Sequence, residues 1–307
     1  MRRTVTPTLI AGLTTVMVLV SPAQAGGPQD PVGGEVNLGL THGLKYVSET
    51  LDVGSSGHWG PPYESADVSC GSHSSLWHPT HGGLKVTGPN DVNFLVTQRP
   101  MDLDAPFESP DNAVPDDWSE NVTRSVLGRS LTGYAICSKT SFKYVATTIA
   151  NSSSGERTGS SKCPTGRTLV GGGAFIATTG SYVNSSYPAA GNTWKVRIHD
   201  AAGGLGGMLV FATCRRSGDV TRVTRTSASA SSGDTISAIA RCGASRHVIG
   251  GGGKMSGSIA EAHTAASLPY DGPDSDSIPD DGWKVTGYNQ AGIEKTLTAY
   301  ALCVTRG

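Results

Sequence analysis

The sequence predicts an all-β protein built from three pseudo-repeated β units, each clasped by one disulfide. Three observations carry this expectation. Glycine contributes 41 of 307 residues and aromatics 6%, and short runs rich in Val, Thr, Ile and Tyr sit between Gly, Ser, Asn and Pro turns. Runs with helical period are scarce. Finally, six cysteines fall into three opening and three closing positions that share the same surroundings.

The chain opens with the marks of a signal peptide over 1–25. Arg2 and Arg3 precede an apolar stretch over 9–20, and Ala23-Gln24-Ala25 is a small-x-small cleavage site that places the cut before Gly26. The stretch is too short to span a bilayer comfortably, and Thr14-Thr15 interrupts it. The arginine pair lacks the apolar residues that follow a twin-arginine signal, so general secretion is the better fit. Residues 26–44, rich in Gly and Pro at their start, are expected to form a flexible N-terminal arm. The formal charge is −1, from 24 basic and 25 acidic residues. Loss of Arg2 and Arg3 makes the balance more acidic, which leaves no overall basic field for nucleic acid or an anionic membrane.

The repeats are expected at 45–142, 143–218 and 219–307, together forming one domain. Each enters through a β-like stretch and a Ser/Gly turn: Gly54-Ser55-Ser56-Gly57, Ser152-Ser153-Ser154-Gly155 and Ser231-Ser232-Gly233. Each then reaches an opening cysteine: Cys70, Cys163 or Cys242. A glycine run follows at a common offset in two copies, Gly171-Gly172-Gly173 and Gly250-Gly251-Gly252, with Gly82-Gly83 in the first. Glycines inside a strand mark a bulge or the close approach of another backbone, so these are expected near the crowded middle. Ser186-Tyr187-Pro188 and Ser267-Leu268-Pro269 come next, with Arg99-Pro100 as the weaker match.

A tryptophan strand follows. Trp118, Trp194 and Trp283 precede the closing cysteine by 19, 20 and 20 residues. In Trp194-Lys195-Val196-Arg197-Ile198 and Trp283-Lys284-Val285, alternation puts Trp and Val on one face and the bases on the other. The closing strand is the most regular element. Ala135, Ala212 and Ala301 stand two before the cysteine, and Tyr134, Phe211 and Tyr300 stand three before. Leu131, Met208 and Leu297 stand six before, a pattern for a strand packed on both faces.

An even number of cysteines in an exported chain reads as disulfides. The repeat selects Cys70–Cys137, Cys163–Cys214 and Cys242–Cys303. Chain entropy alone gives each bridge about 4 kcal/mol. One unit cannot bury its own apolar face, so the three must share a core, each contributing a small sheet of three or four strands.

The module Cys-Pro-x-Gly, Gly-Gly-Gly, Ser-x-Pro, Trp and aromatic-Ala-x-Cys resembles a repeat of secreted bacterial proteins, many of them actinobacterial and of unassigned function. Its Cys163-Pro164-Thr165-Gly166 opening and tripled layout also resemble, more distantly, the vitelline membrane outer layer protein family. That resemblance implies a β-prism, with three sheets around a pseudo-three-fold axis, in a secreted protein that interacts with sugars. It nominates no functional residues.

Catalytic signatures such as Gly-x-Ser-x-Gly, His-Glu-x-x-His and a phosphate loop are missing from the sequence, and the paired cysteines leave no thiol nucleophile. His73, His78 and His81 cluster beside Trp77. They read as an exposed polar loop, with a zinc or copper site as the alternative. Two acidic loops precede a tryptophan. Asp116 and Asp117 precede Trp118, and a loop from Asp271 to Asp280 and Asp281 precedes Trp283. Carboxylates beside an aromatic ring suit sugar hydroxyls and an apolar sugar face, and clustered carboxylates suit calcium. Asp116, Asp117, Trp118, Asp280, Asp281 and Trp283 are the candidate ligand-binding set, although the regular spacing of the tryptophans is first a packing signature. Asn121, Asn151 and Asn184 match the glycosylation sequon.

The expected function is a secreted, non-enzymatic binding or cell-surface module with a glycan or the cell envelope as partner. It needs no cofactor and no nucleic acid. The alternatives are a structural or matrix protein without a small-molecule ligand and a hydrolase acting through Asp280 and Asp281.

Overall fold

The computed structural model describes residues 36–41, 43–53, 63–71, 76–87, 95–101, 115, 117–123, 129–150, 155–176, 180–200, 207–216, 218–257 and 262–305. The expected signal peptide, His73, Asp116 and Asn151 lie outside them. No helix occurs among the described residues.

The chain forms β1 (Val36–Thr41), β2 (Leu44–Val53), β3 (Tyr63–Ser69), β4 (His78–Thr87), β5 (Leu95–Met101), β6 (Asp117–Thr123) and β7 (Arg129–Ser138). Six strands follow: β8 (Phe142–Ile149), β9 (Gly155–Lys162), β10 (Arg167–Ile176), β11 (Ser181–Ala189), β12 (Thr193–Asp200) and β13 (Met208–Arg216). The last six are β14 (Val220–Thr226), β15 (Thr235–Arg241), β16 (Arg246–Met255), β17 (Ala262–Tyr270), β18 (Gly282–Asn289) and β19 (Leu297–Thr305). β1 departs from the expected flexible arm. It pairs antiparallel with β2 from Val36↔Ser48 to Thr41↔Leu44, across the turn at Gly43, whose φ is +79°.

Three sheets result. Sheet I runs β1-β2-β7-β4-β17-β18-β15, sheet II β3-β6-β5-β10-β13-β8, and sheet III β14-β19-β16-β11-β12-β9. The fold is all-β, with three disulfide-clasped units in a β-prism-like arrangement. One expectation is corrected here: no copy owns a sheet. Each copy gives its first, third and sixth strands to one sheet and its second, fourth and fifth to another. The exchange is cyclic, so every sheet is completed by two copies. A six-strand copy thus splits into two three-strand halves, each with an apolar face that only another copy's half can extend.

The disulfides lock this exchange. Cys70 follows β3 in sheet II and bonds Cys137 in β7 of sheet I. Cys163–Cys214 ties the end of β9 in sheet III to β13 in sheet II, and Cys242–Cys303 ties the end of β15 in sheet I to β19 in sheet III. Each bridge stays within one copy but crosses between two sheets. Hydrogen bonds add to this. Tyr46 Oη donates to the Val248 carbonyl at 2.7 Å and Tyr144 Oη to the Pro79 carbonyl at 2.7 Å, each reaching another copy.

The seams where two copies meet within a sheet are narrow. Each shows one register pair: Leu84↔Ser267, Ala174↔Gln98 and Gly253↔Ser186. The glycine runs make these seams possible. A Cβ on Gly83 would stand 2.4 Å from the Ser267 carbonyl oxygen, one on Gly173 2.0 Å from that of Gln98, and one on Gly252 2.1 Å from that of Ser186. The glycine before each admits a tryptophan. A Cβ on Gly172 would lie 2.5 Å from the Trp194 ring, and one on Gly251 2.2 Å from that of Trp283.

All three tryptophans are fully buried and converge on His81. The ring centroids of Trp118, Trp194 and Trp283 lie 5.0, 5.1 and 4.8 Å from its imidazole. Trp194 and Trp283 donate their indole N–H to Ser186 Oγ at 3.0 Å and Ser267 Oγ at 2.9 Å, which explains the serine of the Ser-x-Pro element. A buried indole needs such an acceptor.

Candidate functional site

The outward positions of sheet I form a groove of about 710 Å³ across the seam between β4 and β17. Alternation sets its lining. On β7, Gly133 and Ala135 turn inward, so Thr132 and Tyr134 turn out beside Ser48 and Thr50 of β2. Across the seam, β4 adds Lys85, β17 adds Leu268 and Tyr270, and β18 adds Lys284 and Thr286. Asp271, Ser277 and Pro279 of the acidic loop close one end. Thr50 and Thr132 hydroxyls meet at 3.0 Å, and Arg241 donates to Tyr270 Oη at 3.4 Å with its guanidinium 5.6 Å from the ring. Burial raises the Tyr134 hydroxyl above the ordinary tyrosine range, so it stays a neutral donor and acceptor at pH 7. The groove therefore combines aromatic surface, neutral hydroxyls, two ammonium groups and a carboxylate.

The acidic loop is largely its own scaffold. Asp281 Oδ2 accepts the Gly272 N–H at 2.8 Å, Asp276 Oδ1 that of Ile278 at 2.8 Å, and Asp274 Oδ1 that of Asp276 at 3.3 Å. Short carboxylates cap turn N–H groups in this way. Its backbone also braces the clasp, because the Asp281 carbonyl accepts the Cys242 N–H and the Asp280 carbonyl that of Val248. Carboxylate oxygens of Asp271, Asp274 and Asp281 lie within 4.8 Å of one another, as do those of Asp274, Asp276 and Asp280. Oxygen groups so placed are able to hold a hard cation such as calcium. Burial of its carboxyl, reinforced by the charges of Asp274, Asp276 and Asp281, raises the Asp271 pKa.

The expected ligand-binding set is largely interior, which corrects its expected role. Trp118 and Trp283 are brought together, but as core around His81, with no ring face open to a sugar. Asp117 is buried at the start of β6, paired with Ser69 and Met101 in sheet II. Asp280 is fully buried, with its Oδ2 against Nδ1 of the buried His247. Asp281, half-buried, is engaged by Gly272. This arrangement gives Asp280 and Asp281 structural work and presents neither as an open pair of hydrolytic carboxylates.

Of the histidine cluster, the described members His78 and His81 are also not in an exposed loop. β4 begins at His78, and His81 is completely buried. The Gly172 N–H donates to His81 Nδ1 at 3.3 Å, so the proton sits on Nε2, which donates to the Gly251 carbonyl at 2.6 Å. Both ring nitrogens are thereby used, which argues against His81 as a metal ligand. Asn184 is likewise buried in β11, with its amide donating to the Ala262 carbonyl at 2.6 Å, so this sequon is closed in the folded chain.

Sequence reasoning missed Tyr134, Tyr270 and Lys85 as groove residues. The signal was the outward half of each alternating strand, already visible for Lys284 opposite Trp283. No protein-family model matches the chain, and no curated protein matches it.

Proposed function

We propose that this chain is an exported, non-enzymatic binding module of the cell surface or envelope, and that the groove on sheet I takes a glycan. The groove's lining carries the reading: Tyr134 and Tyr270 provide apolar surface, and Thr50, Thr132 and Thr286 provide hydroxyls in a concavity large enough for a small sugar. Three disulfides fit an oxidising compartment. The signal-like residues 1–25 and the resemblance to secreted tripled proteins point the same way. A glycan array on the purified protein, with and without calcium, is the test. Specific binding, weakened at least about tenfold by Tyr134→Ala or Tyr270→Ala, supports the reading. Signal at background across diverse glycans overturns it.

The matrix reading draws on a different observation, the cross-linking of all three sheets by disulfides. Retention on cell walls that free sugars fail to compete would favour it.

A further inference from the structure

We infer that the outer face of sheet III is a binding surface for an anionic polysaccharide. It lies on a different sheet from the groove and shares with the proposed function only the idea of a glycan ligand, so each can fail alone.

The net charge of −1 conceals a one-sided distribution. On β12, Trp194, Val196 and Ile198 are buried, so Lys195 and Arg197 face outward. On β9 the exposed positions include Lys162, Thr158 and Glu156. Lys254 of β16 and Arg222 of β14 complete the set. Glu156 is the carboxylate on this face among the described residues, and Arg197 holds it at 3.6 Å. The remaining acid of these strands, Asp200, is buried and neutralised by Arg157 at 2.6 Å. Five cations therefore surround one already-paired carboxylate.

Two tyrosines stand in the middle of this field. Tyr187 is the cross-strand partner of Lys195, and Tyr300 that of Gly252. The glycine leaves the strand between them bare, and the rings stack across it at 5.3 Å and 24°. The Lys254 ammonium sits 5.7 Å from the Tyr187 ring. Burial raises the Tyr300 hydroxyl, with Tyr187 adding to the shift and Arg222 opposing it. The hydroxyls stay protonated at neutral pH among the cations.

Charge complementarity sets the ligand's sign. The aromatic geometry selects its class. Tyr187 is only 8% exposed and packed against Tyr300, so the pair offers edges and hydroxyls rather than open faces for stacking bases. Uronate or sulfate groups between sugar hydroxyls meet alternating ammonium, guanidinium and phenol groups, which is what this face presents.

The test is calorimetric titration of the full-length folded chain with polygalacturonate, heparin and uncharged dextran, at low and moderate salt. Binding of polygalacturonate or heparin but not dextran, weakening as salt rises, is expected. The double variant Lys195→Glu/Lys254→Glu should lose at least about tenfold in affinity, and Lys162→Glu, at an exposed position, about threefold. Tyr134→Ala in the other groove should leave this binding unchanged. No binding of either polyanion, or equal binding by a double variant of native circular dichroism, overturns the inference. Tighter binding of duplex DNA or of anionic vesicles than of both polyanions also overturns it, by assigning the face to another class of partner.

Discussion

His81 stands where the other copies carry Gly171 and Gly250, as the pairings His81↔Ile136, Gly171↔Thr213 and Gly250↔Leu302 show. A Cβ on Gly171 would lie 2.9 Å from the His81 Cβ, and one on Gly250 3.2 Å, so one imidazole occupies the space where three would collide. Burial, opposed by the bond to the Gly251 carbonyl, lowers the His81 pKa to about 3, and burial lowers that of His263 to about 4. Below pH 6.5 the unfolded chain therefore takes up protons that the folded chain refuses, and stability falls as pH falls until the folded-state values are reached. His81 alone should cost about 2–3 kcal/mol between pH 7 and 4.5. Urea unfolding at the two pH values, with disulfides intact, measures this. His81→Gln, which keeps a donor and an acceptor, should flatten the slope by that amount; an unchanged slope would deny the imidazole its buried, neutral state.

At the scale of the element, the glycine-run strands β4, β10 and β16 make contacts that a side chain would forbid. A Cβ on Gly251 would meet the Trp283 ring at 2.2 Å and the Tyr300 carbonyl oxygen at 2.5 Å. Gly251→Ala should destabilise by more than about 3 kcal/mol. Gly191, with φ +70° and nothing within 4 Å of an added Cβ, marks the contrast. Gly191→Ala should cost about 1–2 kcal/mol, from backbone strain alone. Chemical denaturation of both variants checks the difference, and similar costs would remove the steric role of the run. The tryptophan strands β12 and β18 and the closing strands β7, β13 and β19 were legible because their signals are local. Alternation around Trp194 and Trp283 and the recurrence of Ala and aromatic before each closing cysteine need no knowledge of partners. β1 was hidden behind the Gly and Pro of the preceding stretch. His81 was misplaced because its neighbours Trp77 and His78 look like loop, while its burial comes from glycines about 90 and 170 residues away. Asp280 was misplaced for a similar reason, since it sits in a loop while its partner His247 lies on β16. For the sites, the outward bases followed from alternation, but the groove around Tyr134 required knowing that β4 and β17 are neighbours.

At the scale of the whole molecule, the decisive feature is the cyclic exchange of half-sheets. It was not legible in the sequence because it rests on three seams, each with a single register pair, and no composition or spacing encodes which copy lies beside which. The exchange also explains the position of both proposed binding surfaces. The groove on sheet I spans the β4–β17 seam, and the tyrosine pair on sheet III spans the β16–β11 seam. Each surface draws residues from two copies, so its chemistry changes from sheet to sheet while the scaffold repeats. Sheet II shows this: its seam carries Arg99 over Phe175 at 4.6 Å in place of either arrangement.

The exchange is tested most directly by producing one copy alone, residues 143–218 with the Cys163–Cys214 bridge formed, and following its denaturation and its mass in solution. Its strands supply only half of sheet II and half of sheet III. No cooperative unfolding is expected from a monomer, with order regained only if copies associate. A monomer of residues 143–218 that unfolds cooperatively, with native near-ultraviolet dichroism, would contradict it.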